Sequence, residues 1–116
     1  MNPDDKEIIN EALKLIEENL CDPNLKPSWL AKNLKVDLSN FSRKFKKVTG
    51  VPCTKYIAMR RVDAAKNLLE DGIQVKQIAG QIGYKNSNYF SRVFKKITGL
   101  SPQAYRSRLR NQKLPT

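Results

Sequence analysis

The chain has 116 residues, with 22 Lys and Arg against 11 Asp and Glu, no His, two Cys and 40% hydrophobic residues; that is one small domain or two very small ones, at ~100 to 200 residues per domain. Without histidine the commonest general base and zinc ligand is absent, and Cys21 and Cys53 are too far apart in the chain for a short Cys-x-x-Cys site. A metalloenzyme or a His-based triad is therefore nearly excluded, and neither metal nor cofactor is expected, whereas the net charge of +11 points to a polyanion such as nucleic acid or an acidic membrane surface.

Residues 1 to 22 hold seven acids (Asp4, Asp5, Glu7, Glu11, Glu17, Glu18, Asp22) and two lysines, a local charge of −5, which leaves +16 on the rest. The basic function lies downstream of residue 22. The first six residues are polar and acidic rather than basic ahead of an apolar run, so the chain reads as soluble, not exported, and cytoplasmic, with its cysteines as reduced thiols. Ile8, Ala12, Leu15, Ile16 and Leu20 share one face, predicting an amphipathic helix over 5–20 whose other face is acidic. Its apolar stripe favours packing within the chain over the alternatives, an acidic face turned to RNA polymerase or to a further domain. Pro27 suits a first helical position, and Trp29, Leu30, Ala31 and Leu34 give a short second helix. Asp37 caps a third from Leu38 to about Val48, stopped by Gly50. Pro52 opens a longer helix through Ile57, Ala58, Val62, Ala65 and Leu69, ended by Asp71 and Gly72. Two more helices follow over 75–82 and 87–97, stopped by Gly99, and Ser101 with Pro102 starts a last one to about Arg110. Nothing alternates with the period of a strand, and 111–116 reads as a frayed tail.

An internal repeat organises these elements. FSRKFKKVTG at 41–50 and FSRVFKKITG at 90–99 are identical at eight of ten positions, 49 residues apart. Tyr56 recurs as Tyr105 at that offset, and Leu30, Ala31, Leu34 and Val36 recur as Ile78, Ala79, Ile82 and Tyr84 at an offset of 48. Each half is a short helix, a tight turn and a second helix. On a wheel at ~100° per residue, Phe41, Phe45 and Leu38 face inward, with Ser39, Arg43, Lys46 and Lys47 opposite and Asn40 and Ser42 on the flanks. In the second copy Phe90, Phe94 and Ser87 face inward, Asn88, Arg92, Lys95 and Lys96 lie opposite, and Ser91 flanks them. Arginine can contact guanine bidentately, asparagine adenine, and serine either, while lysines near the helix end neutralise phosphates. A solvated face is commonly lysine-rich; it need not recur in register 49 residues later, and this one does.

From about Ile8 to Arg106 the chain resembles the DNA-binding domain of the AraC/XylS type of bacterial transcription regulators, most specifically along IAGQIGYKNSNYFSRVFKKITGLSPQAYR at 78–106 and more loosely along LAKNLKVDLSNFSRKFKKVTG at 30–50. The resemblance implies an all-α, homeodomain-like fold of about seven helices: a first helix-turn-helix subdomain with its N-terminal helix (1–50), a linker helix (51–71), a second subdomain (72–110) and a tail (111–116). It also implies that both recognition helices enter adjacent major-groove segments of double-stranded DNA. Carried over by motif, the base-reading residues are Ser39, Ser42 and Arg43 in the first copy and Ser87, Asn88, Ser91 and Arg92 in the second. Phosphate contacts fall to Asn40, Lys46, Lys47, Lys95 and Lys96. Such regulators usually carry a sensing, dimerisation or receiver domain, for which 116 residues leave no room, so a stand-alone member or an excised C-terminal domain is expected. Lys26 and Lys76 stand where the family often has small helix caps, and Lys35 where the first turn often has glycine. Each such departure costs ~1 kcal/mol, the last if Lys35 is left-handed.

A linker of 19 residues from Pro52 to Glu70 spans about 28 Å at ~1.5 Å per residue, comparable with the ~34 Å between major-groove faces one turn apart. Specific DNA reading for transcription control is the leading function. The alternative is a non-specific architectural protein that coats or bends DNA with the same basic surface. An enzymatic reading, Cys53 accepting an alkyl group in repair, is weaker still: a helix start just after Pro52 can lower its pKa, but nothing else there resembles a catalytic site, and no enzyme is expected. Membrane binding is disfavoured, since the basic faces lack interleaved large apolar residues.

Overall fold

The computed structural model describes residues 3–113, and these form seven α-helices with no strand among them. They are α1 (Pro3–Glu18), α2 (Pro27–Asn33), α3 (Leu38–Thr49), α4 (Cys53–Glu70), α5 (Val75–Gln81), α6 (Ser87–Thr98) and α7 (Pro102–Lys113). The last helix runs three residues past its expected end, taking in Asn111 to Lys113; 114–116 lie outside the described residues. The chain divides into two compact units, one running up to Ala58 and one starting at Met59, so the change falls inside α4.

Each unit closes on its own apolar cluster. In the first, Ile9, Ala12 and Ile16 of α1, at the 3–4 residue spacing of one helix face, join Leu30, Ala31, Phe41, Phe45 and Ile57. The acidic helix therefore packs within the chain, on α3, with its Asp5 carboxylate 3.2 Å from Lys44 Nζ. In the second, Val62, Ala65 and Leu69 of α4 join Ile78, Ala79, Ile82, Phe90 and Phe94. α7 packs on α6 and brings Tyr105 to this cluster, as the start of α4 brings Tyr56 to the first. Arg106 of α7 donates from Nε to the Leu69 carbonyl at 3.2 Å, which also accepts from the Gly72 amide, and from Nη2 to the Ile73 carbonyl just past the end of α4.

The short helices begin without side-chain caps. Lys26 precedes α2 with none, as the sequence implies. For α5 the capping position is Gln74 rather than Lys76, because the helix starts at Val75; Gln74 makes no cap bond either. The tight turns differ in one respect. Lys35 has φ 57°, left-handed and the only such non-glycine residue among those described, while the matching residue of the second copy is Gly83 at φ 95°. Both turns are closed by the same bond, Val36 N–H to the Ala31 carbonyl at 3.0 Å and Tyr84 N–H to the Ala79 carbonyl at 2.9 Å.

Candidate nucleic-acid interface

Each recognition helix is held at both ends by local chemistry. At the start of α3, Asp37 Oδ2 accepts from the Asn40 amide at 3.1 Å; at the start of α6, Asn86 Oδ1 accepts from the amides of Asn88 and Tyr89 at 2.8 and 3.0 Å. At the other end Gly50 and Gly99 turn left-handed at φ 84° and 86°, and their amides bond to the carbonyls of Lys46 and Lys95. Thr49 Oγ1 lies 2.7 Å from the Phe45 carbonyl and accepts from the Val51 amide, and Thr98 repeats this with Phe94, at 2.8 Å, and Leu100. Inward, Phe41 and Phe45 pack with tilted rings at 5.9 Å between centroids, and Phe90 and Phe94 pack near edge-on at the same distance. Tyr56 and Tyr105 meet Phe45 and Phe94 edge-on at 5.6 and 5.5 Å. The aromatic residues of the repeat are core, and the opposite faces stay open.

On α3 those open positions are Ser39, Asn40, Ser42, Arg43, Lys46 and Lys47, all exposed. On α6 Asn88, Arg92, Lys95 and Lys96 are exposed, while Ser87 and Ser91 are half-buried. The wheel therefore holds for the charged faces and fails at the first position of α3. Leu38, expected to face inward, is 44% exposed, because the wheel assumes helical neighbours on both sides and the first residue has them on one. Lys46 and Lys47, like Lys95 and Lys96, sit in the last turn of their helix, where their charge also meets the negative end of the helix dipole. A cleft of about 500 Å³ runs beside α3, lined by Ser42, Arg43, Lys46 and Lys47, by Pro52 and by the start of α4 at Cys53 and Thr54.

The two arginines are held differently. Arg43 donates from Nη2 to Asn40 Oδ1, so Asn40, expected at phosphate, is engaged with its neighbour on the helix. Arg92 has its guanidinium carbon 6.0 Å from the Tyr89 ring centroid. Sequence reasoning missed Asn86, Tyr89, Arg61 and Arg106. Asn86 just ahead of a helix start was a legible cap signal, and Tyr89 is a position where the repeat fails to echo. Arg61 and Arg106 act through distant partners that periodicity does not reveal.

Cys53 overturns the one enzymatic reading. Its side chain is buried in the first cluster, 4% exposed, and that burial pushes the thiol up to about 12 rather than down. A thiol so protonated is a poor nucleophile. Among the described residues no cluster of His, Cys, Asp and Glu could hold a metal, and no helix is long and apolar enough to cross a membrane.

A family described as a helix-turn-helix domain matches residues 30–108. The chain belongs to the AraC-type helix-turn-helix family. The AraC-type match covers both recognition helices and all of α4. The chain is 35% identical over 103 residues to the uncharacterized transcriptional regulatory protein YesN of Bacillus subtilis, covering 85% of this chain and 28% of that protein. It superposes on the C-terminal domain of AraT, a response regulator from Geobacillus stearothermophilus, with a TM-score of 0.84 at 27% identity, covering 94% and 88% of the two chains. The DNA-binding domain of AdpA, a global transcriptional factor solved in complex with a target DNA, gives a TM-score of 0.83 at 26% identity, covering 90% of this chain and 95% of that one. The chain spans between 8% and 34% of the length of four curated relatives.

Proposed function

We propose that this chain binds double-stranded DNA sequence-specifically in transcription control, with α3 and α6 in adjacent major-groove segments. One observation carries the reading: the same exposed set, an arginine followed by two lysines in the last turn, recurs on two helices whose caps, stops and aromatic cores also recur. Ser39, Ser42 and Arg43, and Ser87, Asn88, Ser91 and Arg92, are the base readers. Lys46, Lys47, Lys95 and Lys96 meet phosphates, with Asn40 between the two roles through its bond to Arg43. Half-burial of Ser87 and Ser91 leaves them reach for a backbone or an edge contact rather than deep insertion. The module acts in the cytoplasm and is not an enzyme. The greater length of the relatives supports its working beside a sensing, receiver or dimerisation domain, and RNA polymerase is the further partner that transcription control implies.

A binding titration against salt tests the electrostatic part: with six to ten phosphate contacts, log K against log salt slopes by about −5 to −9. A slope near zero with binding intact overturns the proposal. Specificity is tested on a selected site and its scrambled version, for which a sequence reader gives a ratio of roughly 10³ or more and an architectural coat gives little. Arg43→Ala and Arg92→Ala each cost ~1 to 3 kcal/mol on the correct site, at bases about one turn (~10 bp) apart. Five base pairs inserted between the half-sites turn one to the opposite face of the duplex. If wild-type affinity survives that insertion and only one arginine matters, a single helix-turn-helix binds specifically.

A further inference from the structure

Residue 89 is where the two copies part company. In register at the offset of 49, Tyr89 stands against Asn40, three residues before each copy's arginine and so one turn away on the same helix face. In α3 that neighbour takes a hydrogen bond from Arg43. In α6 it offers a ring. The ring belongs to a longer stack within the second unit: Arg61 of α4 lies over Tyr84 at 5.2 Å, Tyr84 packs on Tyr89 at 5.9 Å, and Arg92 lies over Tyr89 at 6.0 Å. The foot of this ladder is fixed, because Arg61 is only 7% exposed and Tyr84 also packs on the core ring of Phe90 at 5.6 Å. Its head is open, since Tyr89 is 53% exposed and Arg92 is exposed. The first copy has no such ladder, with Val36 and Asn40 in the places of Tyr84 and Tyr89.

The two neighbours leave an arginine with different chemistry. Guanidinium donors lie in its plane, and guanine O6 and N7 accept two of them side by side. A hydrogen bond to an asparagine oxygen occupies one such donor, whereas a ring face attracts the cation across its plane and occupies none. We infer that Tyr89 is a positioning residue that sets base preference in the second recognition helix. It holds the Arg92 guanidinium with its donor fork whole, so α6 selects guanine bidentately, while α3 presents Arg43 and Asn40 as a bonded pair. This inference rests on the DNA-reading function proposed above.

The test measures affinity of the full chain for duplexes carrying each of the four bases at every position of a selected site. Arg92→Ala locates the base that α6 reads, lowering discrimination there roughly tenfold or more. At that base Tyr89→Leu lowers discrimination roughly two- to fivefold, Tyr89→Phe retains it, and Asn40→Ala leaves it unchanged. Placed in the Arg92→Ala background, Tyr89→Leu adds nothing, because its effect passes through the arginine. Tyr89 is about half-exposed and outside the buried cluster, so Tyr89→Leu stays folded at the assay temperature, which thermal melting checks and which separates positioning from folding. The inference is overturned if Tyr89→Leu weakens all duplexes alike, or acts as strongly without Arg92. If Arg92→Ala acts and Tyr89→Leu does not, the ladder fails while DNA reading stands; if Arg92→Ala changes no base preference, both fail.

Discussion

The first and second units share the geometry that stops and backs α3 and α6 and differ in what those helices expose. Stop glycines agree to 2° in φ, the phenylalanine pairs agree at 5.9 Å, and the tyrosine edge contacts differ by 0.1 Å. Against that constancy stand a left-handed lysine opposite a glycine in the tight turn and an asparagine opposite a tyrosine one turn before the exposed arginine. Residues that fix the backbone of a recognition helix can thus be kept while those that tune its exposed chemistry change.

Removing a shared core ring probes that comparison hardest. Phe45→Ala and Phe94→Ala, both from fully buried positions, each destabilise by about 3 to 5 kcal/mol. Hydrogen exchange is expected to show protection lost in the unit that carries the change; equal loss in both units means they unfold as one block. The caps come next. Asp37→Ala and Asn86→Ala cost ~1 kcal/mol each, with Asn86→Ala the larger because Asn86 holds two amides to the one held by Asp37. Denaturant titration of the two variants side by side reads the order, and the reverse order breaks the account of how the helices start.

The tight turns give a smaller effect of opposite sign. Lys35→Gly relieves a left-handed side chain and stabilises by up to ~1 kcal/mol, less the entropy that glycine gains when unfolded. Gly83→Lys destabilises, and by more, since Gly83 is buried. Melting temperatures of the pair check this, and a destabilising Lys35→Gly contradicts the strain argument. Last is an effect absent at neutral pH. Cys53 is raised from 9.0 to about 12 by burial, so the unfolded chain loses that proton first, and the stability it contributes is full below pH 9 and lost as pH rises toward 12. The matching residue of the second unit, Pro102, does not titrate. Cys53→Ala is expected to flatten the start of alkaline destabilisation, measured by denaturant midpoints from pH 8 upward; an unchanged profile removes Cys53 as its cause.

Much of this was legible in the sequence because the governing signals are local. Asp37, Gly50, Gly99, Pro27 and the spacing of Phe41, Phe45, Phe90 and Phe94 act within a turn or two, and their positions agree with the structure. The charged faces followed from the same periodicity. Leu38 escaped because helical phase loses meaning at a terminus, and Lys76 because the start of α5 carries no capping side chain to mark it. The pKa of Cys53 was not legible, because its place at a helix start suggests lowering whereas burial, which its sequence position does not show, raises it. The Arg61 to Arg92 ladder joins residues of three segments through the faces of rings, contacts that leave no periodic trace.

Arg106 has a consequence for how the chain is made. The acceptors it bonds to, the carbonyls of Leu69 and Ile73, are translated 37 and 33 residues before it. Every buried residue of the first cluster, by contrast, has been translated once Ile57 is. At about 5 to 20 residues per second, the 33 residues from Ile73 to Arg106 correspond to roughly 2 to 7 seconds of synthesis. During that interval the first helix-turn-helix has been translated in full while the second still lacks the residue that bonds to the end of α4, so the two units are completed at different times.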